Sequence, residues 1–211
     1  GLNEKNPIGW SIPYYDLEPL RKYGKNLIDG EEVFITEKLH GQAISFLYSS
    51  KDERYYVKSR NFYKKEQQDS QWWECILREN YKEKMYNEPD KVFMGECYGN
   101  NPGPFRYDCK INNSIVERKI RIYDIYDLNT KSFFNYIDKE KICKNLGFDT
   151  VPLIYNGEWK SKDYLYYLAE NNSVIGPGLS EGFVVEPKDQ RFINNIRVKY
   201  KLISQRYLLE K

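Results

Sequence analysis

The sequence predicts an α+β fold, with mainly antiparallel sheets flanked by helices, and three observations support this prediction. Segments rich in Val, Ile, Tyr and Phe recur along the chain, and many alternate as half-buried strands do. Helical patterns lie between them but do not follow the strict strand and helix alternation of a parallel sheet. No repeat or low-complexity linker divides the 211 residues. We therefore predict one domain over residues 1–211.

The predicted strands share a high content of β-branched and aromatic residues between turn-forming residues. They lie at 33–38, 43–49, 54–59, 91–98, 119–126, 150–155, 182–187 and 195–201.

Three segments have the pattern of helices. Residues 66–86 place apolar side chains among charges, which is an amphipathic pattern. Residues 138–146 precede Gly147, which is placed as a C-terminal cap. Residues 162–170 follow Ser161, which is placed as an N-terminal cap.

Two features have both a structural and a functional interpretation. Trp72 and Trp73 favour a place in the core, although such rings also stack on nucleic-acid bases. The turn-rich segment 99–118 is long for a loop, and such loops are often functional or mobile. It fits a plain surface excursion equally well.

Composition excludes some classes of protein and leaves others open. Hydrophobic residues make up 40% of the chain and aromatic residues 16%, which is ample for a core and argues against disorder. The 33 basic and 31 acidic residues give a net charge of only +2. A nucleic-acid partner would therefore have to be attracted by a local basic surface.

The cysteines and the N-terminus bear on the compartment. No apolar run approaches a membrane span, and the N-terminus lacks the design of a signal peptide. No cysteine pair has Cys-x-x-Cys spacing, and a single His cannot complete a standard zinc set. We expect a soluble, intracellular protein, either cytoplasmic or, in a eukaryote, nuclear or organellar. Its thiols should be reduced and mostly buried: Cys75, Cys97, Cys109 and Cys143.

The segment 37–41 reads Glu-Lys-Leu-His-Gly and lies between two predicted strands. Side chains two residues apart share one face of an extended chain, so Lys38 and His40 should lie together. Gly41 lets the backbone turn or approach a ligand closely. A lysine here becomes a nucleophile if its pKa falls from about 10.4. The motif alone also fits a solvated surface lysine.

Five further motifs fall on or beside predicted strands, and each alone has a plain structural explanation. Together they supply what nucleotidyl transfer needs, namely an amine, cations for phosphate oxygens, carboxylates for a divalent metal and an aromatic ring for a base. They are Lys58-Ser59-Arg60-Asn61, Phe93-Met94-Gly95-Glu96-Cys97-Tyr98-Gly99, Ile120-Arg121-Ile122-Tyr123-Asp124-Ile125, Glu181-Gly182-Phe183-Val184-Val185-Glu186-Pro187 and Val198-Lys199-Tyr200-Lys201.

With these six motifs in this order, the chain resembles the covalent nucleotidyltransferase superfamily of ligases and capping enzymes, and more closely the RNA ligase 2 family. The resemblance covers residues 30–203, and a Lys-x-His-Gly motif is typical of this branch. It implies a nucleotidyltransferase (adenylyltransferase) domain with an ATP-grasp-like ligase fold. It also implies an ATP-dependent RNA ligase that forms lysyl-AMP, transfers AMP to a 5′-phosphate and seals it to a 3′-hydroxyl.

For the nucleotide, the resemblance implies four roles. Lys38 is the nucleophile that forms lysyl-AMP, and Glu37 lies beside the adenine. Arg60 contacts the ribose or the substrate 5′-phosphate. Tyr123 stacks on the adenine, and on a regular strand Ile122 and Ile125 should then face different sides.

For the metal, the phosphate and the later steps, the resemblance implies five further roles. Glu96 lies near the ribose or a metal, and Glu181 helps to hold the metal. Lys199 and Lys201 grip the α-phosphate, and His40 serves transfer and sealing more than the first step. Mutual repulsion among clustered lysines should favour a neutral amine on one of them.

The same resemblance implies ATP and Mg²⁺ (or Mn²⁺) as cofactors. It implies a monomer that acts on RNA with 5′-phosphate and 3′-hydroxyl ends and has no membrane partner.

The sequence departs from the family pattern in places. Gln42-Ala43 follows Gly41, where the family often has Thr-Asn, so one phosphate or substrate contact is in doubt. Ten residues follow Lys201, and the start lacks Met, so we expect a minimal ligase or a catalytic domain separated from a C-terminal domain. The alternatives are a DNA ligase or capping-type nucleotidyltransferase, and an inactive nucleotide- or RNA-binding module.

Overall fold

The structure is a computed structural model that describes residues 3–4, 12–67, 70–99, 103–160 and 162–210. Its strands are β1 Asn3–Glu4, β2 Glu18–Pro19, β3 Glu32–Glu37, β4 Gln42–Ser49, β5 Arg54–Lys58, β6 Tyr63–Lys64, β7 Lys91–Gly99, β8 Lys110–Ile111, β9 Ser114–Ile115, β10 Arg118–Asp127, β11 Ser132–Phe133, β12 Leu153–Glu158, β13 Gly182–Pro187, β14 Phe192–Ile193, β15 Ile196–Arg197 and β16 Tyr200–Ile203. The α-helices are α1 Leu20–Tyr23, α2 Gln71–Arg78, α3 Tyr81–Tyr86, α4 Tyr136–Leu146, α5 Lys162–Leu165 and α6 Gln205–Glu210, with 3-10 turns at Gly24–Asn26 and Tyr166–Glu170.

A seven-stranded antiparallel sheet, in the order β1-β6-β5-β4-β7-β10-β11, forms one half of the molecule. Apolar residues on one face of β4, β7 and β10 are buried against α2, α3 and α4. Phe46, Phe93 and Phe148 pack together there, with ring centroids 4.9 to 5.6 Å apart. Their burial holds this sheet to its helices.

The second sheet has five strands in the order β12-β3-β13-β16-β2, and only the β16–β2 pair is parallel. Alternate residues of β3, β13 and β16, such as Ile35, Phe183 and Leu202, face away from the first sheet. They form a second core with α1, α5 and the 3-10 turn Tyr166–Glu170. Each sheet thus buries one face under helices and presents the other face to its partner. The expected α+β class is confirmed.

Two predicted strands differ from the observed ones. The strand expected at 150–155 begins at Leu153, because Val151 packs into a separate cluster between the sheets. The strand expected at 195–201 is divided into β15 and β16. Asn194 and Asn195 adopt positive φ of 51° and 63° and form the tight turn between β14 and β15.

The predicted helices meet different outcomes. The segment 66–86 contains two helices, because Asn80 adopts a left-handed φ of 57° between them. Gly147 caps α4 with φ 76° as predicted, and Asn135 caps its start by accepting a hydrogen bond from the Asp138 N–H. The helix predicted at 162–170 is α5 followed by a 3-10 turn, and Ser161 lies outside the described residues.

On strand β10, the side-chain directions predicted for Ile122 and Ile125 differ from the observed ones. Ile122 pairs with Gly95 and Asp124 with Met94, so Tyr123 is the extra residue of a β-bulge. The bulge resets the alternation, and Ile122 and Ile125 pack in the same core. The expectation that they face different sides was therefore wrong.

The structure also bears on the predictions for the tryptophans, the segment 99–118, the cysteines and membrane spans. Trp73 is a core residue as predicted, and its indole N–H donates to the Lys64 carbonyl at 2.9 Å. Trp72 is only half-buried and packs against the edge of the same core. Residues 100–102 of the segment 99–118 lie outside the described residues; in its described part, 103–118, Tyr107 is fully buried, so this part is packed rather than a plain excursion. All four cysteines are buried and free of disulfides. Within the described ranges, no helix is long and apolar enough to cross a membrane.

Candidate active site

A cleft of about 520 Å³ lies between the facing sides of the two sheets. The first sheet contributes side chains from β4, β7 and β10, and the second contributes them from β3, β13 and β16. Every site residue predicted from the sequence lines this cleft: Glu37, Lys38, His40, Arg60, Glu96, Tyr123, Glu181, Lys199 and Lys201.

Lys38 follows β3 directly and is held against the start of β13. Its backbone N–H donates to the Gly182 carbonyl at 2.9 Å, and its Nζ lies 2.9 Å from Glu181 Oε1. Gly41 then lets the chain pass close to β7, since a Cβ there would lie 2.3 Å from the Cys97 carbonyl oxygen. The predicted nucleophile is thus ion-paired with the predicted metal ligand.

Glu37 is almost fully buried, and its carboxylate is bound to protein groups. One oxygen accepts from Ser173 Oγ at 2.8 Å, and the other accepts from the Val174 N–H at 2.6 Å. Burial raises the pKa of Glu37, and these two hydrogen bonds oppose the shift. The side chain therefore fixes the segment 173–174 beside the cleft.

His40 is held by two tyrosines that sequence reasoning missed. Its backbone N–H donates to Tyr107 Oη at 2.7 Å, and its Nδ1 lies 3.0 Å from Tyr207 Oη. Phe105 packs on the imidazole with ring centroids 4.9 Å apart. Tyr207 lies on α6, beyond the last recognised motif, and no local pattern in the sequence points to it.

Glu96 and Glu181 are the carboxylates with the chemistry for a divalent metal. Burial raises the pKa of Glu96 to about 7; Lys38 opposes this shift and the neighbouring Glu181 adds to it. Their oxygens are the ligands that Mg²⁺ and Mn²⁺ prefer. A cation between them would offset the burial and the repulsion, so the residues fit a metal that also keeps water ligands. The described residues contain no group of three or more metal-ligating side chains.

Tyr123 reaches the cleft from the bulge in β10. Its ring packs against Tyr15, with centroids 4.9 Å apart and planes tilted by 33°. Burial, followed by the carboxylates of Glu96 and Asp124, raises the pKa of Tyr123 well above its ordinary value. The hydroxyl therefore keeps its proton, and the half-buried side chain lines the cleft.

Lys199 lies in a buried ionic network. Its Nζ is 3.1 Å from Asp124 Oδ2, 3.0 Å from Glu186 Oε2 and 3.2 Å from the Tyr123 carbonyl oxygen. Burial alone would raise the pKa of Asp124, but Arg197 and Lys199 outweigh it and lower this pKa to about 2. Asp124 was missed in the sequence, although a carboxylate within an apolar strand is a signal that could have identified it.

Lys201 and Arg60 share one carboxylate from the segment 12–17. Asp16 Oδ1 lies 3.3 Å from Lys201 Nζ and 3.7 Å from an Arg60 guanidinium nitrogen. These cations come from different sheets, so Asp16 bridges the mouth of the cleft. Gln42, one of the two residues that depart from the family pattern, accepts a hydrogen bond from the Gln71 amide at 2.6 Å.

The chain was compared with known protein families and solved structures. A family model described as RNA ligase matches residues 31–201. The chain belongs to the RNA ligase family. No curated protein matches the chain.

Solved structures agree on the fold. An RNA ligase from Naegleria gruberi with PPi has a TM-score of 0.76 and 20% identity over 98% of this chain and 61% of that chain. A mutant of that ligase with ATP and Mn has a TM-score of 0.77, and a mutant with AMP and Mn has a TM-score of 0.75. Both are 19% identical to this chain, and each match covers 100% of this chain and 63% of that chain. The nucleotidyltransferase-type fold is thus confirmed. The chain spans about three fifths of the ligases it matches.

Proposed function

We propose that this protein is an ATP-dependent RNA ligase that works through a lysyl-AMP intermediate. The observation that carries the proposal is the RNA ligase family match over 31–201, a span whose Lys38, Glu181 and Lys201 line one cleft. The Naegleria ligase structures with ATP and Mn, and with AMP and Mn, support the same nucleotide and a divalent metal. We further propose that the protein acts as a monomer on RNA with 5′-phosphate and 3′-hydroxyl ends.

In the first step, Lys38 Nζ attacks the α-phosphorus of ATP. A phosphorus–nitrogen bond forms, the bond from the α-phosphorus to the bridging oxygen breaks, and pyrophosphate leaves. The amine must lose a proton before or during attack. The carboxylate of Glu181, 2.9 Å away, is positioned to accept that proton.

The remaining residues bind the nucleotide and balance its charge. Tyr123 offers a ring for the adenine, and Glu37 lines the same cleft. Lys199, Lys201 and Arg60 provide cations for phosphate oxygens, where charge grows in the transition state. Glu96 and Glu181 would hold Mg²⁺ or Mn²⁺, which neutralises phosphate charge when bound.

Two further steps use the same cleft. The 5′-phosphate of RNA attacks the phosphorus of lysyl-AMP, which frees Lys38 and gives an AMP-capped end. The 3′-hydroxyl then attacks the RNA 5′-phosphorus, and AMP leaves as the phosphodiester forms. We assign His40 to these two steps, because a single imidazole adds little to charge neutralisation beside two ammonium groups.

A joining assay tests the proposal. The full chain is incubated with ATP, Mg²⁺ and a nicked RNA duplex whose 5′-phosphate is labelled, with a 5′-hydroxyl nick as the control. We expect sealed product with ATP from the phosphorylated nick only, and none from Lys38→Ala. A DNA duplex with the same nick is run in parallel. Failure to cap or seal the RNA nick would contradict the assignment to nicked RNA, and sealing of the DNA nick alone would identify a DNA ligase.

A further inference from the structure

We infer that Tyr207 is a positioning residue: its hydroxyl donates to Nδ1 of His40 and keeps the imidazole proton on Nε2. Tyr207 Oη and His40 Nδ1 are 3.0 Å apart, a normal hydrogen-bond distance. In a neutral imidazole one nitrogen donates and the other accepts, so a donor at Nδ1 leaves the proton on Nε2.

The direction of this hydrogen bond follows from the surroundings of Tyr207. The side chain is 6% exposed. Burial, followed by Glu181 and Glu96, raises the pKa of the Tyr207 hydroxyl, so it keeps its proton. Among the described residues, His40 is the only hydrogen-bond partner found for this hydroxyl. A buried hydroxyl proton without an acceptor is costly, and Nδ1 is the acceptor within reach.

The backbone of Tyr207 is tied through Ser204 to the segment 180–181, which carries the predicted metal ligand. Ser204 caps α6 by accepting from the Tyr207 N–H at 2.9 Å, and its hydroxyl donates to the Ser180 carbonyl at 3.1 Å. The Ser204 N–H donates to the Glu181 carbonyl at 2.9 Å. The tyrosine that orients His40 is therefore anchored to the segment that carries Glu181.

The contacts on the other sides of His40 leave the imidazole few orientations. Tyr107 fixes the His40 backbone at 2.7 Å, and Phe105 packs on both the imidazole and the Tyr207 ring, with centroids 4.9 and 4.7 Å away. An imidazole held with the proton on Nε2 can donate to a phosphate oxygen or a leaving group. This consequence rests on the proposed ligase function, whereas the tautomer does not.

The chain contains one histidine, so the tautomer can be measured without ambiguity. Long-range ¹H–¹⁵N spectra of the uniformly labelled full chain at about pH 8.5, above the ordinary histidine pKa of about 6.5, report which nitrogen carries the proton. We expect the Nε2–H form in the wild type and a mixture in Tyr207→Phe. Tyr164→Phe is the matched control, since Tyr164 is an exposed tyrosine on α5, and it should keep the wild-type pattern.

An Nδ1–H tautomer in the wild type would overturn the inference, whatever the variants do. So would a Tyr207→Phe spectrum identical to that of the wild type. These outcomes are independent of ATP, so they separate this inference from the proposed function.

Rates of lysyl-AMP formation and of sealing show which step of the reaction depends on Tyr207. Tyr207→Phe should form lysyl-AMP at a rate within about twofold of wild type, yet seal pre-adenylylated RNA about tenfold more slowly, as expected for one lost hydrogen bond. Equal loss in both steps would show a purely structural effect and contradict the positioning role. Absence of lysyl-AMP in the wild type would refute the proposed function and leave the tautomer result standing.

Discussion

At the scale of single residues, three of the four lysines that line the cleft are paired with carboxylates, and the fourth, Lys58, has its Nζ 3.5 Å from the Arg60 carbonyl oxygen. Lys38 meets Glu181, Lys201 meets Asp16, and Lys199 meets Asp124 and Glu186. These ion pairs offset the repulsion expected among the three ammonium groups. The carboxylates also hold each lysine side chain in place in the cleft. This pairing is tertiary and could not be read from the spacing of the lysines.

We predict that the Tyr123 ring, and not its hydroxyl, binds the nucleotide. Tyr123→Phe should bind ATP nearly as tightly as wild type, whereas Tyr123→Ala should lose about 1–3 kcal/mol, the usual range for base stacking. Isothermal titration with Mg²⁺ and an ATP analogue whose α–β bridge cannot be cleaved, so that no lysyl-AMP forms, measures both changes. A Phe variant as damaged as the Ala variant would show that the hydroxyl carries the interaction.

The buried network around Asp124 predicts a change of stability with pH. Its pKa is about 2 in the folded protein against an ordinary value of 3.8, so the ionised form stabilises the fold. This contribution is complete above the ordinary value and is lost as the pH falls through about 2. Asp124→Asn should lower the free energy of unfolding by about 3 kcal/mol at pH 7, since it leaves Arg197 poorly compensated.

Urea unfolding of wild type and Asp124→Asn at pH 7, 5, 4 and 3 checks this prediction. The difference between the two proteins should be constant from pH 7 to 5 and should shrink below about pH 4. A difference that grows on acidification would mean that Asp124 does not titrate with a lowered pKa.

At the scale of elements, the segment 12–17 is the least expected part of the site. Asp16 forms ion pairs with Lys201 and Arg60, the two cations that we assign to binding phosphate or substrate. Its side chain is 55% exposed, so each pair contributes little to stability. We predict that Asp16→Asn binds ATP about threefold more tightly, because both cations are freed.

Equilibrium binding of an ATP analogue whose α–β bridge cannot be cleaved, at low and moderate salt, measures the Asp16 effect, with the exposed Asp29→Asn as the charge-matched control. The gain should be larger at low salt, since screening weakens exposed charge pairs. Weaker binding in Asp16→Asn than in the control would mean that Asp16 positions the cations rather than occupying them.

The long strands and the motifs could be predicted from the sequence because their patterns are local. Strands β3, β4, β7 and β13 alternate or form apolar runs, and the motif residues lie at or beside strand ends. The bulge at Tyr123, the break at Asn80 and the two-residue strands depend on tertiary pairing that a local pattern does not contain. The same reason hides Asp16 and Tyr207, whose partners are far away in sequence.

At the scale of the whole molecule, the cleft needs both sheets, and the proposed steps should divide between its residues. Lys201→Ala should reduce lysyl-AMP formation at least tenfold, since charge develops on the α-phosphate there. His40→Ala should keep substantial lysyl-AMP formation and lose joining. Lys201 is a cleaner test than Lys199, whose removal would leave Asp124 and Glu186 poorly compensated.

One gel that separates protein-AMP, AMP-capped RNA and sealed RNA measures this division. Loss of protein-AMP in His40→Ala to the same extent as in Lys201→Ala would place His40 in the first step and contradict the assignment.

The most direct measurement is the intact mass of the protein after incubation with ATP and Mg²⁺, followed by peptide mapping. We expect one AMP on Lys38, no adduct with GTP, and no adduct in Lys38→Arg, because a guanidinium stays protonated and is a poor nucleophile. Lys144→Arg, an exposed lysine on α4, should carry the wild-type adduct. An unmodified wild-type protein, or an adduct that persists in Lys38→Arg, would contradict Lys38 as the nucleophile.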